Sequence, residues 1–170
     1  GVQTCALPIF STDEAVVAWG DPGIQDFHNM NWSASNPMLT GLYYRSYYQI
    51  TLCNDFIRQA SDVNLANRGI TGANADQIKA YRLEARFLRA FQYWVLMDLF
   101  GNIPFATDEQ ALGSFTPSQA TRSQIFTYVE NELKTIENNL PDAKTNEYGR
   151  ADKAAAQALL ARIYLNAGVY

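Results

Sequence analysis

The stretch from Ala80 to Pro104, AYRLEARFLRAFQYWVLMDLFGNIP, decides the fold of this chain. Its apolar residues recur every three or four positions, which is the spacing of one face of an α-helix. That face, which we expect to be buried, consists of Leu83, Phe87, Leu88, Phe91, Trp94, Val95 and Leu99. A helix of about 25 residues is roughly 40 Å long, so it needs packing partners along its whole length.

Both ends of this long helix carry sequence signals. Asn74 followed by Gln77 has the spacing of a capping box, which predicts that the helix starts there. Gly101 and Pro104 predict its end, because glycine tolerates the left-handed conformation after a helix and proline cannot continue one.

Three other segments have helical spacing. Leu39 to Ala60 is predicted as the first helix, with an inward stripe of Tyr43, Tyr47, Ile50, Asn54 and Ile57. The polar connection from Ser61 to Thr71 returns the chain antiparallel to the long helix, which predicts a helical hairpin.

The third and fourth helices follow an irregular loop from Phe105 to Pro117. Thr121 and Gln124 form a second capping-box pattern before an apolar stripe of Ile125, Val129, Leu133, Ile136 and Leu140. Asp152 is the predicted cap of a helix from Lys153 to Asn166, with Ala156, Leu159, Leu160, Ile163, Tyr164 and Ala167 facing inward. Four helices in two antiparallel hairpins predict an all-α fold at the scale of tetratricopeptide-like repeats.

Composition excludes several functions. The 170 residues are 48% hydrophobic, which suits a packed domain, and a net charge of -4 argues against binding to nucleic acid. His28 is the only histidine, which argues against a histidine-based metal site and against Ser-His-Asp catalysis, and we expect no metal and no cofactor. Cys5 and Cys53 do not indicate a disulfide framework, and no apolar run is long enough to cross a bilayer.

Two motifs resemble a known family. The first is Glu84-Ala85-Arg86-Phe87-Leu88-Arg89-Ala90, followed by the aromatic residues Phe91, Tyr93 and Trp94 and by Leu99-Phe100-Gly101-Asn102-Ile103-Pro104. The second is the block that begins Gly149-Arg150-Ala151-Asp152-Lys153 and ends Ala161-Arg162-Ile163-Tyr164-Leu165. In this order and at this separation they resemble the signature helices of the SusD/RagB family.

The resemblance implies a tetratricopeptide-like scaffold from which long loops project. It also implies a surface-exposed lipoprotein of the outer membrane of Bacteroidota. Such a protein captures an oligosaccharide or other nutrient without cleaving it and delivers it to a SusC-like TonB-dependent transporter. The alternative is a helical-repeat adaptor that binds a protein or peptide and no glycan.

The family also sets an expectation for the ends of the chain. Its members are several hundred residues long and begin with a signal peptide and a lipidated cysteine, whereas no apolar signal core precedes Cys5. We therefore expect residues 11–170 to be part of a SusD-like helical-repeat domain truncated at both ends. Residues 1–10, GVQTCALPIF, do not continue the pattern and are expected to be a non-native leader. The lipid anchor would lie outside this chain.

The opening loop from Ser11 to Pro37 carries the candidate ligand-binding residues. Tryptophan rings stack on the apolar faces of sugars, and neighbouring carboxylates and amides bond the hydroxyl groups. Trp19 lies near Asp21, and Trp32 lies near Asn31, so we predict these four as ligand-binding residues. The alternative role for each tryptophan is to attach the loop to the helices, and both roles can hold together.

The charged residues of the long helix are predicted to have structural rather than catalytic roles. Arg82, Arg86 and Arg89 share one edge of the long helix, and together with Glu84 they predict ion pairs between helices. Glycoside hydrolysis needs two carboxyl groups held about 5–10 Å apart, and nothing in the spacing of Asp13, Glu14, Asp21 and Asp26 holds a pair at that distance. We expect no enzymatic activity.

Overall fold

The computed structural model describes residues 9–16, 18, 20–110, 113 and 116–170. Within these residues the chain is mainly helical, which confirms the all-α prediction. The helices are α1 (Ile24–His28), α2 (Pro37–Gln59), α3 (Asp62–Asn67), α4 (Gly72–Phe100), α5 (Arg122–Ile136) and α6 (Lys153–Leu165). Two short strands, β1 (Ile103–Pro104) and β2 (Gln119–Ala120), pair antiparallel with Ile103 opposite Ala120.

The chain divides into two compact units, Gly1–Tyr47 and Tyr48–Tyr170, and the division falls inside α2. The first unit contains α1 and the start of α2. The second contains the remainder of α2 and every later element, with α5 and α6 packed beside α4. None of the described helices is long and apolar enough to span a membrane.

The buried face of α4 is not the face that its apolar spacing predicted. Leu88, Phe91 and Leu99 are 41%, 36% and 41% exposed, so that prediction is wrong. The buried residues of this helix are Ala75, Ala85, Arg89, Ala90, Tyr93, Leu96 and Met97. Small alanines allow neighbouring helices to approach closely, and the arginine is buried because it is paired. A prediction based on large apolar residues therefore misses both the alanines and Arg89.

The two ends of α4 differ in how well they were predicted. The helix begins at Gly72 after Thr71, which makes no side-chain capping bond, and the amide of Gln77 donates to the hydroxyl of Tyr81 at 2.9 Å. The predicted capping box at Asn74 and Gln77 is therefore wrong. The predicted end is confirmed, because Gly101 follows the helix with φ 75° and donates its N–H to the carbonyl of Met97.

The caps of α5 and α6 confirm the sequence signals. Thr121 Oγ1 accepts from the N–H of Gln124 at 3.2 Å, and the Gln124 side chain accepts from the N–H of Thr121 at 2.8 Å. Asp152 accepts from the N–H of Ala155 at 2.9 Å. The predicted apolar stripe of α5 is buried through Leu140, but Tyr164 and Ala167 are exposed, so their inward placement is wrong.

Tyr93 of α4 organises the loop after β1. Its side chain is fully buried, and its hydroxyl donates to the carbonyl of Ala106 at 2.6 Å and accepts from the N–H of Ala106 at 3.0 Å. Burial raises the pKa of Tyr93 to about 12, although the bond to Ala106 and the charge of Arg89 lower it in part. One side chain therefore satisfies both backbone groups of a loop residue.

Two further features of the second unit are the short helix α3 and the buried Cys53. The segment after α2 contains α3, which was not predicted, and Ser61 caps it by accepting from the N–H of Asn64 at 3.4 Å. Cys53 on α2 is buried and carries a free thiol whose pKa is raised by burial, with a smaller opposing effect of Arg89.

Candidate functional site

Trp32 presents a half-exposed indole on the first unit. It is 44% exposed, whereas Phe27 beside it on α1 is 4% exposed. The two rings are stacked, with centroids 5.5 Å apart and an angle of 25° between their planes. Offset-stacked rings at this separation attract each other. Phe27 therefore supports the indole from inside while much of Trp32 remains open to solvent.

Asn36 links the loop that carries Trp32 to the start of α2. Its amide nitrogen donates to the carbonyl of Gly23 at 2.8 Å and to Oδ2 of Asp26 at 2.9 Å. Its amide oxygen accepts from the N–H of Met38 at 2.9 Å and from the N–H of Leu39 at 3.3 Å. The side chain is 3% exposed. One buried amide thus joins α1, the turn before it and the first turn of α2.

The other predicted binding residues have unequal outcomes. Asp21 and Asn31 are exposed, and the backbone N–H of Asn31 donates to the carbonyl of Asp26 at 2.9 Å. Asp21 begins a turn that leads into α1, since the N–H of Ile24 donates to the carbonyl of Asp21 at 3.3 Å. Trp19 lies outside the described residues. The roles of these residues in binding stay predictions.

Sequence reasoning missed Asn36, although a signal for it exists. Asparagine is a strong helix N-cap, and proline is favoured at the first helical position, so the pair Asn36-Pro37 marks a helix start. The helix was predicted to begin at Leu39, and Asn36 and Pro37 were assigned to the opening loop. The long-range bonds of the Asn36 amide have no local sequence signal.

A second polar cluster surrounds Arg89 and belongs to the second unit. Arg89 Nη1 donates to Oδ1 of Asn54 at 2.8 Å and to Oδ1 of Asp108 at 2.5 Å, and its Nη2 donates to Oε1 of Glu132 at 2.8 Å. Arg86 donates two bonds of 2.8 Å to the two oxygens of the Glu132 carboxylate. The predicted ion pairs between helices are confirmed here, and a further pair joins Glu84 to Arg150 at 2.9 Å.

The charges of this cluster are balanced. Burial alone would raise the pKa of Glu132, but the hydrogen bonds and charges of Arg86 and Arg89 outweigh burial and lower it. Burial opposes the charge of Arg89, yet nearby Tyr128 and the bonds to Asp108 and Glu132 raise its pKa. The arginines line a cavity of about 390 Å³, together with Asp108, Glu109 and Glu132. Because these arginines are already paired, the cavity offers poor conditions for an anionic ligand.

Other candidate chemical groups are not assembled into a site. His28 is the last residue of α1 and is exposed. Asp13 and Glu14 are exposed, and Asp26 is bonded to Asn36. In the part of the chain that the structure describes, no three His, Cys, Asp or Glu residues form a group that can hold a metal ion.

Comparison with known proteins identifies related sequences. Residues 11–165 match the model of a SusD-like family described as "Starch-binding associating with outer membrane". The chain is 38% identical over 160 residues to the starch-binding protein SusD of Bacteroides thetaiotaomicron. That alignment covers 94% of this chain and 27% of the relative. The chain therefore spans little more than a quarter of that relative.

Solved structures share the fold. A laminarin-binding SusD-like protein superposes with a TM-score of 0.77 at 27% identity, over 97% of this chain and 35% of that one. Surface glycan-binding protein A from Bacteroides uniformis superposes with a TM-score of 0.72 at 26% identity, over 96% and 36% of the two chains. Both similarities include the helical scaffold and extend over nearly the whole of this chain.

Proposed function

We propose, from the premise that this chain belongs to the SusD-like family, that it binds an oligosaccharide without cleaving it and that Trp32 is the stacking surface. The named relatives are a starch-binding protein, a laminarin-binding protein and a surface glycan-binding protein, which agrees with a non-catalytic role. The observation that carries the proposal is the half-exposed Trp32 indole stacked on buried Phe27.

A rigid, exposed indole suits a neutral sugar. The C–H groups on one face of a pyranose ring are apolar, and an aromatic ring covers them at little cost in conformational entropy. Because Phe27 contacts the indole, part of that entropy is already lost before the ligand binds. The surrounding hydroxyl groups then need polar partners, and Asn31 next to Trp32 is an exposed amide of that kind.

Asp21 and Trp19 are also proposed to contact the sugar. Asp21 is exposed in the turn before α1 and can accept hydrogen bonds from sugar hydroxyls. Trp19, two residues before Asp21, is proposed as a second stacking ring from its residue type and its position in the same loop.

Two finer parts of the proposal concern the cellular role. The family description associates its members with the outer membrane, which supports a location at that membrane for this chain. We propose that the bound glycan is delivered there to a SusC-like TonB-dependent transporter and that a lipid anchor outside this chain holds the protein at the surface. Co-purification of the transporter with the tagged protein tests the partnership.

Trp32→Ala is the direct test of the sugar surface. We expect the affinity for a starch or laminarin oligosaccharide, measured by titration calorimetry, to fall about tenfold or more, since losing a central aromatic contact costs about 2 kcal/mol and tenfold corresponds to about 1.4 kcal/mol. Tyr148→Ala is the matched control, because Tyr148 is fully exposed and lies in the other unit.

The outcomes separate clearly. Loss of affinity in Trp32→Ala with unchanged binding in Tyr148→Ala supports the proposal. Equal affinity in wild type and Trp32→Ala removes Trp32 from the site. No heat of binding with a panel of neutral oligosaccharides contradicts the proposed function.

The alternative, a protein-binding adaptor, draws on a different surface. Leu88, Phe91 and Leu99 expose an apolar strip on α4, and such strips favour contact with another polypeptide. Glycan binding that depends on Trp32 would exclude an adaptor without glycan binding.

A further inference from the structure

We propose that Asn36 is a positioning residue for the sugar-binding loop and fixes Trp32 and its support on the first turn of α2. This inference rests on the proposed function, because positioning has a purpose only if the loop binds a ligand. It assigns to Asn36 no contact with the sugar, since the side chain is 3% exposed.

The bonding of Asn36 is complete and directional. A side-chain amide has two N–H donors and one carbonyl oxygen with two lone pairs. Both donors are used, on Gly23 and Asp26, and both lone pairs are used, by Met38 and Leu39. Exchanging the amide oxygen and nitrogen would place the oxygen against a carboxylate and the nitrogen against two N–H groups. One orientation is therefore strongly preferred.

The loop packs tightly against this amide. Gly23 has φ +84°, and a Cβ atom built on it would lie 2.7 Å from Nδ2 of Asn36 and 2.9 Å from Cδ of Pro37. Real Cβ atoms do not approach other atoms so closely. The backbone before α1 is thus held against the start of α2 with no room for a side chain.

The position of α1 determines the position of the indole. Asn36 holds α1 through Gly23 at its start and Asp26 within it. The next residue, Phe27, stacks on Trp32, and the carbonyl of Asp26 accepts from the N–H of Asn31 beside that tryptophan. Releasing the Asn36 amide would free both supports of Trp32 together.

An ordinary helix cap is the competing explanation, and Asn36→Asp distinguishes the two. Aspartate keeps the oxygen that accepts from Met38 and Leu39, so the cap is retained. It loses both donors and places a second carboxylate against Asp26, where like charges repel. A positioning role predicts about a tenfold loss of sugar affinity through lost preorganisation. A capping role predicts no loss.

Hydrogen exchange provides a measurement that needs no ligand. In Asn36→Asp we expect the amides of Ile24 and Asn31, which bond to carbonyls within the loop, to exchange faster than in wild type. The capped first turn of α2 should exchange as before. In the double variant Asn36→Asp, Asp26→Asn, the amide at position 26 can donate to the carboxylate at position 36. The double variant should therefore recover part of the protection from hydrogen exchange and part of the sugar affinity.

A glycine pair provides an independent test. Gly23→Ala forces Cβ against Asn36 and Pro37 and should reproduce the faster exchange and the weaker binding. Gly149→Ala is the matched control, because Gly149 has the same φ of +84° but its Cβ would meet no atom within 4 Å.

Each outcome decides one of the two proposals. Faster loop exchange together with lost affinity in Asn36→Asp supports positioning. Wild-type exchange in that variant overturns it, whatever the sugar does. If the wild-type protein binds no oligosaccharide, the proposed function fails, and loop exchange alone then decides whether Asn36 holds the loop.

Discussion

Replacing Glu132 by glutamine is expected to lower the free energy of unfolding by about 3–5 kcal/mol, the usual cost of removing one partner from a buried ion pair. Glu132 bonds Arg86 through both oxygens and also accepts from Arg89. Its side chain is 10% exposed and that of Arg89 4%, so solvent compensates little for the lost charge. Urea unfolding followed by circular dichroism measures the change.

Glu130→Gln is the matched control two residues earlier on α5. Glu130 pairs with Lys134 at 2.7 Å near the surface, where ion pairs contribute about 0–1 kcal/mol. A loss below about 1 kcal/mol in Glu132→Gln, similar to that of the control, would contradict the structural importance of the buried network.

The same carboxylate makes stability depend on pH. The folded-state pKa of Glu132 is lower than its ordinary value of 4.5, so the folded protein binds a proton there less readily than the unfolded chain. Its contribution is fully present above about pH 4.5 and is lost as the pH falls through the folded-state pKa. The difference in stability between wild type and Glu132→Gln should therefore shrink in acid. A constant difference from pH 7 to pH 3 would contradict this assignment.

Tyr93→Phe is expected to cost about 1–3 kcal/mol, because it leaves the N–H of Ala106 without its partner and removes one donor to the Ala106 carbonyl. Asn54 still donates to that carbonyl at 3.1 Å, which limits the loss on the acceptor side. The ring itself is retained, so packing changes little. Urea unfolding gives the free energy, and amide exchange at Ala106 should increase.

Tyr148→Phe is the control for this variant, because Tyr148 is fully exposed and its hydroxyl is open to water. It should leave stability unchanged. Slow exchange at Ala106 in Tyr93→Phe would show that another group protects the loop, and would contradict the role given to the Tyr93 hydroxyl.

Local signals in the sequence predicted local structure well. The Thr121 and Gln124 capping box, the Asp152 cap and the Gly101 stop each depend on residues within a few positions of one another, and all three are confirmed. The inward stripe of α5 was also predicted correctly, because the large aliphatic residues of this helix lie on one side only.

Long-range partners could not be read in the same way. The long helix α4 has apolar residues on two sides, and the side that packs is chosen by small alanines and by Arg89, whose acceptors lie 19 to 43 positions away in sequence. Asn36 poses the same problem, since its bond to Gly23 spans 13 positions. Trp32 was selected from its residue type and its place in the opening loop. Its stacking on Phe27 depends on the helix α1, which was not predicted from the sequence.

We expect Arg89 to limit which substitutions related chains accept. Its two terminal nitrogens serve three separate parts of the chain, at Asn54, Asp108 and Glu132. A substitution that removes the acceptor at any one of these positions leaves one buried N–H of Arg89 without its partner, so single changes should be selected against. Homologues that have lost this arginine are expected to carry a neutral or apolar residue at the position of Asp108, whereas Glu132 keeps Arg86 as its partner.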